Sequence, residues 1–149
     1  MDNISAKAQS IERAAPQMVF DAFVDAEKMS KFWFTRRDDG LQEGKSVSWF
    51  VGPEKNALAI EVNVQELKKP ELIKVEWGGG DQFTQVIWKL EKTEIGNTIL
   101  TIEEFGFAGS ADQIISSALD STGGFNQFII ALKAFLEHDA NINVVEDHV

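Results

Sequence analysis

The residue in this sequence best placed to do chemistry is Glu104, at the end of an alternating apolar segment. Leu100 and Ile102 share its parity, and alternate residues of a β-strand point to the same face. We therefore expect the Glu104 carboxyl to point inward, where a charge needs a compensating partner. Arg13 shares the parity of Ile11, so it supplies that cation if the first strand presents the same face. Such a buried pair would orient a polar ligand, or its two charges would only compensate each other. The alternative is that both side chains reach water at twisted strand ends.

A second set of candidates consists of large apolar side chains at positions predicted to face inward. Tryptophan and phenylalanine offer a broad apolar lining, and an indole N–H can fix the orientation of a ligand. The alternative is that these residues only fill the core, as buried aromatic residues usually do. The ligand-binding candidates beside Glu104 and Arg13 are Trp33, Trp49, Trp77, Trp88, Phe125, Phe128 and Ile129.

The sequence offers little else that could support catalysis or metal binding. It contains no cysteine, which excludes a thiol nucleophile, a disulfide and a Cys-ligated zinc. His138 and His148, the two histidines, lie near the C-terminus and away from any glycine-framed nucleophile turn. Glu137, His138 and Asp139 are consecutive, so on a helix they would diverge. The glycines at 78–80 precede a predicted strand and not a helix N-terminus, so they form no phosphate-binding loop. We expect no metal and no cofactor.

Length and charge narrow the class of protein. A chain of 149 residues is typical of one domain that buries roughly 70% of its unfolded surface. The 14 Lys and Arg against 24 Asp and Glu give a formal charge of −10, which disfavours binding to nucleic acid or to an anionic membrane. No apolar window reaches the ~18 residues of a membrane span. We therefore expect no nucleic-acid or membrane partner, and the absence of cysteine, which gives no sign of an oxidising compartment, favours a cytoplasmic protein.

Hydrophobic periodicity predicts the elements that must position these residues. A weak strand over 5–14 precedes a short helix over 16–24, and Asp25 is suited to cap a second short helix. Between residues 46 and 104 the period changes to two, with turn residues between the segments, which predicts an antiparallel meander. Residues 106–124 are polar, with a short helix at 112–119. An apolar stripe from Phe125 to Leu136 predicts an amphipathic helix of about four turns. We expect one domain over 1–138 and a mobile acidic tail over 139–149.

Several short motifs, taken in order, carry a family resemblance. They are Ala-Ala-Pro-Gln-Met-Val-Phe-Asp-Ala-Phe at 14–23, Asp-Ala-Glu-Lys-Met at 25–29 followed by Phe-Trp at 32–33, the strand pair at 61–77, the segment at 98–107, and Gly-Phe at 124–125 with Leu-Lys-x-x-Leu at 132–136. Together they resemble the activator-of-Hsp90-ATPase-like branch of the START/Bet v 1-like superfamily over nearly the whole chain. The chain departs from the family pattern at three positions. Ala26 stands where the family usually has Pro, Phe125 where it has Trp, and Arg13 where it generally has an aliphatic residue.

This resemblance implies an α+β helix-grip fold. In such a fold a curved antiparallel sheet wraps around a long C-terminal helix, two short helices close one end, and a cavity lies between helix and sheet. We therefore expect a protein that holds a hydrophobic or amphipathic small molecule in that cavity, with no catalytic step required. The first alternative is an interaction module that regulates an Hsp90-type chaperone ATPase. The second is a cyclase- or hydrolase-like enzyme that uses Glu104 as its general acid or base.

Overall fold

The structure, a computed structural model, describes residues 4–33, 36–37, 40–51, 58–80, 82–144 and 147. Within these ranges three helices and seven strands form. The helices are α1 (Pro16–Val24), α2 (Ala26–Ser30) and α3 (Ala111–His138). The strands are β1 (Ala6–Glu12), β2 (Arg36–Arg37), β3 (Ser46–Val51), β4 (Leu58–Lys68), β5 (Leu72–Gly79), β6 (Gln82–Lys92) and β7 (Thr98–Phe105).

The strands form one antiparallel sheet in the order β1-β7-β6-β5-β4-β3-β2. From β2 to β7 each strand pairs with its neighbour in sequence, so the predicted meander is confirmed. β1 closes the other edge by pairing with β7. The curved sheet, the long C-terminal helix and the two short helices near the N-terminus confirm the predicted α+β helix-grip fold.

Both short helices begin where the sequence predicts. Pro16 occupies the first turn of α1, where its missing N–H leaves no hydrogen bond unmade. Asp25 caps α2, because its carboxylate accepts a hydrogen bond from the Lys28 N–H at 3.0 Å. Phe23 of α1 and Met29 of α2 are fully buried, which fixes both helices against the core.

The C-terminal helix is much longer than the sequence pattern indicates. α3 has 28 residues and begins at Ala111, so the short helix predicted at 112–119 and the helix predicted from Phe125 are one element, and the expected break between them is wrong. The Ser110 hydroxyl accepts from the Gln113 N–H, and the Gln113 side chain accepts from the Ser110 N–H, which forms a capping box. The helix then continues through Gly123 and Gly124. These glycines weaken the local helix propensity by about 1 kcal/mol each, and tertiary packing overrides that cost.

The buried face of β1 also differs from the prediction. Ala6 and Ala8 are buried, whereas Ile11 is 52% exposed, so the even-numbered residues of this strand face the core. The small alanine side chains let α3 pack closely against β1. Arg13 continues the outward face and is exposed, so the expectation that it points inward is wrong.

The end of α3 forms a defined C-cap. Asp139 adopts the left-handed conformation with φ of 50°, and its N–H donates to the Phe135 carbonyl at 3.0 Å. Val144 is half-buried against the core. Residues 145–146 and 148–149 of the predicted tail lie outside the described residues, and the division into a domain and a tail stays a prediction. No described helix, α3 included, has an apolar stretch long enough to cross a bilayer.

Candidate functional site

An aromatic pocket lies between the sheet and the middle of α3. Its volume is about 100 Å³. The residues that line this pocket are Trp33, Trp49, Trp77, Trp88, Ser121, Gly124, Phe125 and Phe128. The four tryptophans and the two phenylalanines of the sequence-based candidate set therefore come together around one cavity.

Trp77 is the central ring of this pocket. Its ring centroid lies 6.1 Å from that of Trp49 and 6.0 Å from that of Trp88, both in edge-to-face geometry. The Phe125 ring of α3 stacks on Trp77 at 5.9 Å, with an angle of 10° between the planes. Such arrangements are favourable for aromatic pairs, so these contacts stabilise the apolar wall of the pocket. The Nε1 atom of Trp88 is buried and has no hydrogen-bond partner among the described residues.

The register of the sheet joins Trp77 to Glu104. Trp77 lies opposite Thr84 on the neighbouring strand β6, and Val86, two residues further along the same face, lies opposite Glu104 on β7. Thr84 thus lies diagonally next to Glu104, and Trp77 lies one strand further away on the same face of the sheet. Trp77 Nε1 donates to Glu104 Oε2 at 2.9 Å, and the Thr84 hydroxyl donates to the same oxygen.

Glu104 is only 4% exposed, so the prediction of its inward orientation agrees with the structure. Its second carboxylate oxygen, Oε1, is buried and has no hydrogen-bond partner within the described part of the chain. The predicted pair with Arg13 does not form, because Arg13 is on the opposite face of its strand. Two neutral donors, Trp77 and Thr84, take the place of the expected cation.

A larger groove adjoins the aromatic pocket. Its volume is about 550 Å³, and Trp77 and Ser121 line both spaces. Glu104 lines the groove. Except for this carboxylate, the described residues that line the groove and the pocket carry no ionisable side chain. The site therefore combines an apolar pocket with a single acidic group in the adjoining groove.

Sequence reasoning missed Ser121 and Gly124 of α3. They lie at helical spacing with the predicted residues Phe125 and Phe128, and the four together form the stripe that faces the pocket. The stripe extends back to Ala118, which is buried, and this period was the available signal for a longer helix. An added Cβ at Gly124 would meet no atom within 4 Å, so this glycine leaves space open. Ile129 is buried in the core and does not line the pocket.

A second buried carboxylate, Glu12, lies at the end of β1 and was not predicted. Glu12 is 0% exposed, and both of its carboxylate oxygens lack a hydrogen-bond partner among the described residues. Lys133 of α3 donates instead to the Ile11 carbonyl at 2.8 Å and to Glu137 Oε2 at 2.7 Å. The Arg13 N–H donates to the same oxygen of Glu137 at 3.2 Å.

The pKa values of Glu12 and Glu137 shift in opposite directions. Burial raises the pKa of Glu12 to about 7; the charge of Lys133 opposes this rise, and that of Glu137 adds to it. Burial alone would also raise the pKa of Glu137. The hydrogen bonds from Lys133 and the Arg13 N–H, with the positive charges of both residues, outweigh that effect and lower the pKa.

The fold and its aromatic cavity define a helix-grip protein. The sequence model for the family described as Activator of Hsp90 ATPase homolog 1-like protein matches residues 13–137. The chain therefore belongs to this family, as its motifs predict. No curated protein matches the sequence significantly.

Solved structures with the same fold include three bacterial proteins. Protein SSP2350 from Staphylococcus saprophyticus is 25% identical, with a TM-score of 0.76 over 93% of this chain and 96% of its own. The Aha1 dimer from Colwellia psychrerythraea is 15% identical, with a TM-score of 0.77 over 91% of this chain and 98% of its own. CalU16 from Micromonospora echinospora is 16% identical, with a TM-score of 0.72 over 94% of this chain and 78% of its own.

Proposed function

We propose that this protein binds a hydrophobic or amphipathic small molecule, with the apolar end in the aromatic pocket and the remainder in the groove. The observation that carries this proposal is that the pocket and the groove share Trp77 and Ser121. A pocket of about 100 Å³ accommodates only part of a typical ligand. The groove, at about 550 Å³, lies within the roughly 300–1,000 Å³ common for small-molecule sites.

Binding is favoured over catalysis by the chemistry of the lining. General acid–base catalysis by Glu104 needs its carboxyl within hydrogen-bond distance of the proton that it transfers. The described residues that line the site offer no second ionisable side chain. The cyclase- or hydrolase-like alternative would be supported by turnover that Glu104→Gln abolishes in a folded protein.

Family membership favours a second candidate function, docking on an Hsp90-type chaperone. The formal charge of −10 would suit a basic face on such a partner. A pull-down with purified chaperone that survives moderate salt would support this function. If no complex forms even at low ionic strength, where attraction between charged surfaces is strongest, this would count against docking on the chaperone.

The small-molecule proposal is tested first with the freshly purified protein. Native mass spectrometry should reveal a co-purified molecule, or the empty protein should bind a neutral apolar probe such as propylbenzene. A molecule that binds only the folded state raises the melting temperature by mass action. A protein that carries no adduct and shows no shift with propylbenzene would contradict the proposal.

A further inference from the structure

The Glu104 carboxylate has an acceptor position that the described residues leave unused. Oε2 accepts from Trp77 and Thr84, whereas Oε1 is buried without a partner. A buried acceptor without a partner carries a desolvation cost, and native structures contain few such atoms. Glu104 lines the groove, so a molecule in the groove lies beside this carboxylate and can supply the missing donor once the side chains around Oε1 shift.

The charge of the site selects the kind of donor. In the described lining of the pocket and groove, Glu104 is the one charged group, and no Lys or Arg opposes it. Trp77 and Thr84 donate hydrogen bonds but bring no positive charge. Apolar walls weaken solvent screening, so Glu104 attracts a cation and repels an anion more strongly than an exposed carboxylate does.

Hydrogen-bond strength separates an amine from a hydroxyl. An ammonium N–H donating to a carboxylate forms a charge-assisted bond that is roughly twice as strong as a neutral one. Aromatic rings also attract a cation through their π faces, and Trp77 lies between the pocket and Glu104. Fatty-acid-like and phosphate-headed molecules gain neither interaction and place a second negative charge beside Glu104.

We propose that the ligand is an amphipathic amine whose protonated nitrogen donates to Glu104 Oε1 while its apolar body lies against Trp77. This inference rests on the proposed small-molecule function and names the chemical class of the ligand. It requires a local shift of the side chains around Oε1, because that atom is buried although Glu104 lines the groove.

Three probes with the same phenylethyl body test this inference. They are 2-phenylethylamine, its neutral isostere propylbenzene, and the anion 3-phenylpropanoate, each titrated calorimetrically into the wild-type protein at pH 7. We expect the amine to bind about tenfold or more tighter than propylbenzene, the range for a hydrogen bond to a charged group. The carboxylate should bind more weakly than propylbenzene by a similar factor.

Two variants distinguish Glu104 from the general acidity of the surface. Glu104→Gln should reduce the affinity for the amine to that for propylbenzene and leave propylbenzene binding unchanged. The control is Glu103→Gln, on the outward face of β7, which should keep the wild-type order of affinities. If Glu104→Gln does not fold, the three probes are titrated into the wild-type protein at high salt, where a preference for the amine that comes from surface charge is screened and one that comes from Glu104 remains.

The outcomes separate this inference from the proposed function. Propylbenzene binding with no preference for the amine would overturn the inference and leave the small-molecule function standing. An equal loss of the amine preference in both variants would also overturn it, since the preference would then come from net charge. Failure of all three probes to bind would contradict the proposed function together with the inference.

Discussion

Trp77 Nε1 lies 2.9 Å from Glu104 Oε2, so the central ring of the aromatic pocket is hydrogen-bonded to the carboxylate that lines the groove. Trp77 also lies opposite Thr84, which donates to the same oxygen. A molecule that contacts Glu104 therefore changes the surroundings of an indole ring. Tryptophan fluorescence is a suitable report of binding at this site.

The hydrogen bond from Thr84 should contribute to stability. Thr84→Val keeps the shape of the side chain and removes a donor to a buried carboxylate. We expect the free energy of unfolding in urea to fall by about 1–3 kcal/mol. Thr101→Val is the matched control, because Thr101 Oγ1 accepts an exposed hydrogen bond from Gln9. It should change stability by less than about 0.5 kcal/mol, and equal effects of the two variants would contradict the prediction.

Burial of Glu12 should make stability depend on pH. The pKa of Glu12 is about 7 in the folded state against an ordinary value of 4.5, so between these values the folded state holds a proton that the unfolded state has lost. This group therefore lowers stability progressively as pH rises from about 4.5 to 7, by about 3 kcal/mol in all. Glu137, whose pKa is lowered, acts at more acidic pH, where its protonation removes stability.

Glu12→Gln removes that titration. We expect the variant to gain stability relative to the wild type between pH 5 and pH 8.5, by roughly 2–3 kcal/mol in urea unfolding experiments. Glu91→Gln, at an exposed position of β6, should follow the wild-type pH profile. A Glu12→Gln profile parallel to that of the wild type would show that Glu12 titrates normally.

The cap at the start of α3 should contribute to stability. Ser110→Ala removes the hydroxyl that accepts from the Gln113 N–H, and this change should lower the free energy of unfolding by about 1 kcal/mol. Ser116→Ala, at an exposed position inside α3, should leave stability unchanged or raise it, because alanine is the better helix former. If Ser110→Ala left the free energy of unfolding unchanged, this would contradict a capped helix that begins at Ala111.

The parts of the fold that sequence could predict are those where hydrophobic contrast is strong. Large apolar residues alternate with polar ones along β4 to β7, and this pattern correctly gives the meander and the inward tryptophans. In β1 the contrast fails, because small alanines are buried and Ile11 is exposed. An edge strand packed closely under a helix selects for small size, which a hydrophobicity pattern does not measure.

Two features of the site could not be predicted from the sequence. Gly123 and Gly124 indicate a turn by local propensity, yet packing against the sheet carries α3 through them. The predicted Glu104–Arg13 pair failed because β1 buries Ala6 and Ala8, which places Ile11 and Arg13 on the outward side. The register of β5, β6 and β7 could not be derived from alternation within a single strand. That register brings Thr84 and Trp77 to Glu104.

The central claim is that the space beside Gly124 receives the apolar end of a ligand. Gly124→Leu adds a side chain on the pocket-facing stripe, and Gly123→Leu adds the same side chain at an exposed position of the same helix. Calorimetric titration of propylbenzene into the two folded variants compares them directly. We predict that Gly124→Leu weakens binding by about tenfold or more while Gly123→Leu binds like the wild type. Equal affinity of both variants for propylbenzene would contradict the account.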